Sequence, residues 1–166
     1  NDVLKISARG LKVCENERTA IYSCVLDNDG EMVNAIADMS ILEKGVTPEH
    51  ISSFEREISQ SKIVFMDANL NENAMITTAE LCSKHGVSLF FEPTSVPKSV
   101  RCVSSQILDK ITFMKPNKDE LFAMARSILG HRSNKSTQLD ENTNTSPSKF
   151  ILSVNEAMTL LLSEGV

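Results

Sequence analysis

The chain has 166 residues, 41% of them hydrophobic and 23% charged, with a formal net charge of −5, which suits one globular core and is too short for two comfortable domains. Lysines and arginines are scattered among acids, so there is no basic stripe for a nucleic-acid polymer, and no apolar run approaches the ~18 residues of a membrane span. The amino terminus, NDVLKISARG, lacks the charged-then-apolar layout of a signal peptide, so a cytoplasmic protein is expected.

The cysteines Cys14, Cys24, Cys82 and Cys102 lie far apart with no C-x-x-C spacing and read as buried, reduced thiols. His50, His85 and His131 are equally isolated, which argues against a transition-metal site. A short helical pattern (Val3, Leu4, Ile6) closes near Gly10. The chain begins at Asn1 and stops at Gly165-Val166, where a helix has just ended, so both ends look cut from something longer.

Two β-rich arms, Thr19 to Leu26 and Glu31 to Ala37, flank Asp27-Asn28-Asp29-Gly30. Gly30 tolerates positive φ and the Asx side chains can bond the turn backbone, so a hairpin is expected. Ala20, Tyr22, Cys24 and Leu26 fall on one face of the first arm, and Thr19, Ile21, Ser23 and Val25 on the other. Neither face is uniformly apolar, which suits a small sheet covering something.

From residue 47 helix and strand alternate. Thr47-Pro48-Glu49 opens a helix with Ile51, Phe54 and Ile58 as its apolar stripe, and Lys62 to Met66 is a strand ending at Asp67. A helix over about Glu72 to His85 turns Met75, Ala79 and Leu81 or Cys82 inward and stops at Gly86. A second strand, Val87 to Phe91, ends at Glu92-Pro93. A short helix around Val100 to Leu108, a third strand from Ile111 to Met114, and a helix from about Lys118 to Leu129 complete the series. This order gives right-handed parallel crossovers, hence an α/β sheet with helices on both faces.

Residues 131 to 149, rich in Ser, Thr and Asn, cannot bury enough surface to offset ordering and read as a mobile insertion; the Asn144-Thr145-Ser146 sequon within them reads as chance. Phe150, Val154, Ala157, Met158 and Leu161 then form an amphipathic helix ending at Gly165.

Asp67-Ala68-Asn69, Glu92-Pro93-Thr94-Ser95 and Lys115-Pro116-Asn117 each follow the carboxyl tip of a predicted parallel strand, the edge where open α/β sheets bind ligands. Asn117 and Glu120 have capping-box spacing; a helix start at that edge also attracts anions, and its carboxylate can organise Mg²⁺ and water beside a phosphate. Asp67 and Asn69 either cap a turn or recognise vicinal hydroxyls. Glu92 and Lys98, around Pro93 and Pro97, read as a surface ion pair. No G-x-G-x-x-G after a strand, P-loop or G-x-S-x-G elbow is present, so the sequence offers binding groups without an evident nucleophile or base.

The ordered set R-T-A-x-Y (Arg18 to Tyr22), L-D-x-x-G-E (Leu26 to Glu31, with one extra turn residue), A-I-A-D-M (Ala35 to Met39), D-A-N-L (Asp67 to Leu70), F-E-P-T-S-V-P-K (Phe91 to Lys98) and K-P-N-K-D-E-L (Lys115 to Leu121) resembles the middle of a PfkB, or ribokinase-like, carbohydrate kinase. Within that family it is most similar to pseudouridine kinases, including those fused to a pseudouridine-5′-phosphate glycosidase. The similarity covers about residues 2 to 130 and resumes in the last helix.

The resemblance implies a single partial kinase domain using ATP and Mg²⁺ to phosphorylate the 5′-hydroxyl of pseudouridine, or else another sugar or nucleoside. It implies a lid over about 19 to 39, an α/β body over about 47 to 130 and 150 to 166, and the insertion at 131 to 149. Thr19, Tyr22, Asp38, Asp67, Asn69, Glu92 and Lys98 would line the acceptor pocket, with Asn117 and Glu120 governing metal and phosphate. Lids in the family can pair between subunits, which implies a possible homodimer or, in a truncated chain, an interaction module without catalysis. The family's Gly-rich amino-terminal region and its G-A-G-D segment, whose Asp acts as base, are absent. The base is therefore expected beyond Val166, leaving this piece inactive alone.

Overall fold

A computed structural model describes residues 9–132 and 147–166. The expected amino-terminal helical pattern, and residues 133–146 of the polar segment, lie outside the described residues. Residues 131–132 and 147–149, assigned to the insertion, are instead the flanks of two helices, and Pro147 opens the second of them, where proline is acceptable in a first helical turn.

The hairpin forms as expected, with β1 (Ile21–Leu26) antiparallel to β2 (Met32–Asp38). Its turn is held by Asp27, whose Oδ1 accepts the Asp29 and Glu31 N–H groups, both at 2.9 Å, while Gly30 takes φ +83°. Ile21, Tyr22, Val25, Leu26, Met32 and Ile36 all remain exposed, as does Cys24, so that thiol is not buried as its apolar neighbours had implied.

A helix not anticipated, α1 (Ser40–Gly45), follows. The stripe predicted from Thr47 is split into α2 (Pro48–Ser52) and α3 (Glu55–Ser59). Thr47 caps α2 as expected, accepting the His50 N–H at 3.3 Å. Ser52 and Ser53 then donate their hydroxyls to the carbonyls of Pro48 and His50, at 2.8 and 2.6 Å, competing with the helical ladder where it breaks.

The body is a parallel sheet in the order β3 (Ile63–Asp67), β4 (Ser88–Glu92), β5 (Phe113–Met114). Between β3 and β4 runs α4 (Glu72–His85), with the predicted limits. Asn71 Oδ1 accepts the Ala74 N–H at 2.9 Å to start it, and Gly86 at φ +64° ends it.

The helix expected at Val100 to Leu108 is instead α5 (Val96–Ser99), with Pro97 in its first turn, and α6 (Arg101–Ser104), followed by the 3₁₀ turn Leu108–Lys110. Gln106, at φ +56°, separates the last two. β5 is shorter than predicted because Thr112 replaces one ladder partner with its side chain: Leu89 N–H donates to Thr112 Oγ1 at 3.1 Å, and Thr112 N–H to Leu89 O at 2.9 Å. Two long helices, α7 (Lys118–Arg132) and α8 (Pro147–Ser163), complete the fold. Ala157 and Leu161 of α8 are buried, but Met158 lies on its exposed side.

Side chains alternate across the sheet. Met66, Leu89 and Phe91 enter the main core with Met75, Ala79 and Cys82 of α4, Phe122, Met124 and Ala125 of α7, and Leu161 of α8. The register sets Phe65, Phe90 and Phe113 side by side on the other face. Phe65 is 71% exposed and Phe113 51%, so among the described residues the helices cover one face well and leave the other largely open, where two covered faces were expected. Cys82 and Cys102 are in the core, and burial pushes their thiols up to about 11 and about 12, so they act as small apolar groups.

Candidate acceptor and phosphate site at the strand tips

Because β3, β4 and β5 run in one direction, their carboxyl ends share one edge. Asp67 pairs in register with Glu92, and the Ala68 N–H donates to Glu92 O at 3.0 Å, extending the ladder one residue. By alternation both carboxylates stand on the face of Phe65 and Phe90, at its carboxyl end.

Asp67 closes a turn through Oδ1, which accepts the Asn69 N–H at 2.9 Å, while Oδ2 accepts from Asn69 Nδ2 at 3.1 Å. Asn69 Oδ1 in turn accepts from Lys98 Nζ. The expected ion pair of Lys98 with Glu92 is therefore replaced by a relay from ammonium through amide to carboxylate. α5 begins right after the β4 loop and so aims Lys98 across at the β3 tip.

Glu92 is engaged differently. Its Oε1 accepts the Thr94 N–H at 3.3 Å, and Thr94 Oγ1 donates to Glu92 O at 3.2 Å. Thr94 has φ +70°, and the Ser95 N–H donates to Pro93 O at 2.8 Å, which makes Thr94 the centre of a γ-turn of the rarer, strained hand. A β-branched residue so held costs about 1–3 kcal/mol. Thr94→Gly should therefore raise unfolding stability by about 1 kcal/mol in urea titrations, whereas Thr94→Val, which keeps the branching and loses the hydroxyl, should lower it. A Thr94→Gly protein less stable than Thr94→Val would contradict the strain.

At the third tip the capping box is complete: the Asn117 N–H donates to Glu120 Oε2 at 2.8 Å, and the Glu120 N–H donates to Asn117 Oδ1 at 2.9 Å. Glu120 is 4% exposed, so its carboxylate is held at the first turn of α7, at the positive end of the helix dipole. Among the described residues no group of three or more His, Cys, Asp or Glu is placed to hold a metal ion. One buried carboxylate and one amide oxygen nevertheless suit Mg²⁺, which keeps most of its waters and is bound largely through phosphate oxygens.

The remaining candidates are on or near the hairpin. Thr19 is exposed just before β1; Tyr22 donates its hydroxyl to Met32 Sδ at 3.0 Å; Asp38 accepts from Ser40 Oγ at 3.2 Å. Tyr22 is opposite Ala37, whereas Asp38 is opposite Ile21, so Tyr22 and Asp38 stand on opposite faces of the hairpin. The strand tips thus bring together Asp67, Asn69 and Lys98, with Glu92 beside them; the hairpin does not bring Tyr22 and Asp38 together.

Two residues missed in the sequence complete the edge. Arg101 Nη1 donates to the carbonyls of Ala68 (3.2 Å) and Leu70 (3.1 Å), and Asn71 Nδ2 donates to those of Glu43 (2.8 Å) and Val46 (3.0 Å). Arg101 is three residues beyond Lys98, a helical-face spacing that pointed to the same loop; the Asn71-Glu72 pair was a legible helix start.

Residues 3–153 match the family described as pfkB family carbohydrate kinase. The chain belongs to that family. It is 35% identical over 162 residues to a pseudouridine kinase of Arabidopsis thaliana, covering 98% of this chain and 42% of the relative. It is 30% identical over 120 residues to the Escherichia coli (strain K12) pseudouridine kinase, 72% of this chain and 37% of that protein. A pseudouridine-metabolizing bifunctional protein of Schizosaccharomyces pombe is 31% identical over 115 residues, 68% of this chain and 14% of its own. The fold is shared with a carbohydrate kinase from Agrobacterium tumefaciens at a TM-score of 0.62 and 21% identity, over 91% of this chain and 40% of that one. This PfkB chain therefore spans less than half the length of each relative it matches. Among its described residues, no helix is long and apolar enough to cross a membrane.

Proposed function

We propose that this segment is part of one ATP- and Mg²⁺-dependent kinase domain that transfers the γ-phosphate to the 5′-hydroxyl of pseudouridine. The observation that carries the reading is the convergence of Asp67, Asn69, Lys98 and Glu92 on one sheet edge that also holds the Asn117/Glu120 capping box, in a chain similar to pseudouridine kinases. Carboxylate acceptors and amide and ammonium donors at fixed separation suit a polyhydroxylated acceptor. Asn117 and Glu120 would hold the water shell of Mg²⁺, which supplies charge compensation to the phosphates when bound.

In this reading residues 19 to 39 form a lid whose candidate contacts are Thr19, Tyr22 and Asp38, with Tyr22 and Asp38 on opposite faces of it. The body covers 47 to 130 and 150 to 166 together with the helix flanks 131–132 and 147–149, and the polar stretch between those flanks is the insertion. The general base comes from outside the segment, the protein is cytoplasmic, and a glycosidase acting on the phosphorylated product is fused to it or works beside it. The bifunctional relative supports that last association. Exposed Ile21, Val25 and Ile36 favour a second reading of the hairpin as a contact between two copies.

The test is turnover by the full-length protein with Mg-ATP and a panel of pseudouridine, uridine, adenosine, ribose and fructose, read as ADP release and as phosphorylated product. Pseudouridine should give the highest kcat/KM, and the 166-residue chain alone should give no turnover. A preference for ribose, fructose or adenosine would reassign the acceptor, and phosphorylation of none of them would end the kinase reading. A dimer of the isolated chain without nucleotide binding would favour the contact role.

A further inference from the structure

We infer that Arg101 is the positioning residue that fixes Asn69 in the acceptor pocket, acting through the backbone on both sides of it. The inference rests on the proposed role of Asn69 in binding the acceptor. Arg101 Nη1 donates to Ala68 O at 3.2 Å and to Leu70 O at 3.1 Å, the two carbonyls that bracket Asn69. Fixing both peptide planes fixes the direction in which the Asn69 side chain leaves the chain. Lys98 and Asp67 then hold its amide from either end, so its rotamer is set as well.

The geometry requires arginine. Its planar fork presents several N–H groups in fixed directions, and here one nitrogen serves two carbonyls while Nη2 lies 3.4 Å from Glu43 Oε1. A lysine offers one compact ammonium and cannot span the same three acceptors. The Arg101 side chain is 27% exposed, so its contacts are only partly screened by water.

The contact with Glu43 adds a link to the hairpin. Glu43 is on α1, which begins two residues after β2 ends, and Asn71 bonds the carbonyls of Glu43 and Val46. The Asn69 loop and the root of the hairpin are therefore fastened to one another, so that movement of the hairpin root is felt at Asn69.

The experiment is a double-mutant cycle on the full-length protein: wild type, Arg101→Met, Asn69→Ala and both together, with Arg101→Lys as a variant that keeps the charge should Arg101→Met lose the fold. Pseudouridine and ATP are titrated separately, and thermal unfolding is followed in parallel. Arg101→Met should raise the pseudouridine KM about tenfold with the ATP KM within about twofold of wild type. Arg101→Lys should recover only part of that loss. In the Asn69→Ala background the same substitution should add less than about twofold, because a residue acting through Asn69 has nothing left to position. The inference is overturned by an equal loss in both backgrounds, or by equal rises in both KM values, either of which marks a general structural effect. If the wild-type protein prefers another acceptor, the cycle is read with that acceptor; if it phosphorylates none, the functional reading and this inference fall together.

Discussion

Glu120→Gln in the full-length protein should leave thermal stability nearly unchanged and lower turnover by on the order of 10²-fold or more, with the Mg²⁺ requirement moved to higher concentration. The structural half of the expectation follows from the capping box. Glu120 Oε2 accepts the Asn117 N–H, and a glutamine carbonyl oxygen in the same place accepts it equally well. What glutamine loses is the favourable charge at the start of α7, worth about 0.3–1 kcal/mol, and this is offset by no longer burying a carboxylate. A neutral side chain would therefore cap α7 about as well as the charged one does.

The functional half follows from the same balance. A carboxylate 4% exposed is more expensive to bury than an amide, and the cap alone does not need its charge. In the proposed kinase Glu120 and Asn117 would hold the water shell of Mg²⁺, which would supply charge compensation to the phosphates during transfer. Glu120→Ala serves as the second arm, since it removes cap and charge together and should lower both stability and turnover. Full turnover by Glu120→Gln, with unfolding at the wild-type temperature, would reduce the residue to a cap and remove the main support for a phosphate site at this edge.

Much of this edge is legible in the sequence. Short apolar runs bounded by Asp67, Glu92 and Lys115-Pro116 marked strand tips because an apolar strand ends where polar groups must meet water, and the intervening Glu72 to His85 helix carried both a cap and a terminating glycine. Capping is a local interaction between residues three apart, so the Asn117/Glu120 pair could be read from spacing alone.

Partners distant in sequence could not be read that way. Lys98 had a carboxylate six residues away at Glu92, yet it bonds Asn69 on the neighbouring strand tip, a choice made by where α5 begins and by the strain that turns Thr94. Likewise Arg101 finds carbonyls more than thirty positions earlier. The break between α2 and α3 also escaped a periodicity argument, because Ile51, Phe54 and Ile58 keep helical spacing across it; the serine hydroxyls that compete at the break carry no hydrophobic signal. The open phenylalanine row escaped for a different reason. Val64-Phe65-Met66 and Leu89-Phe90-Phe91 are apolar at successive positions, so alternation could not tell which face would be covered.

That row gives the second large effect. Phe91→Ala should destabilise the chain by about 3–5 kcal/mol, whereas Phe65→Ala should cost no more than about 1.5 kcal/mol. The residues are identical in type and stand on adjacent strands, and Phe65 is one position short of the residue paired with Phe91. That single step puts them on opposite faces. Phe91 is 0% exposed among α4 and α7 side chains, so truncation opens a cavity that packed neighbours can close only in part. Phe65 is 71% exposed, and among the described residues its ring meets that of Phe90 at 5.0 Å, so water replaces most of what truncation removes. Against a total stability of about 5–15 kcal/mol, the first loss is enough to unfold a marginal chain and the second is not. Urea unfolding of both variants, followed by circular dichroism, reads the difference directly. Equal losses would mean that the open face is as well covered as the core, and that Asp67 and Glu92, which share that face, are not bordering an accessible crevice. Phe91→Ala should also loosen the β4 tip that carries Glu92, one residue away, so any Phe91→Ala protein that folds should bind acceptor more weakly, while Phe65→Ala leaves that tip in place.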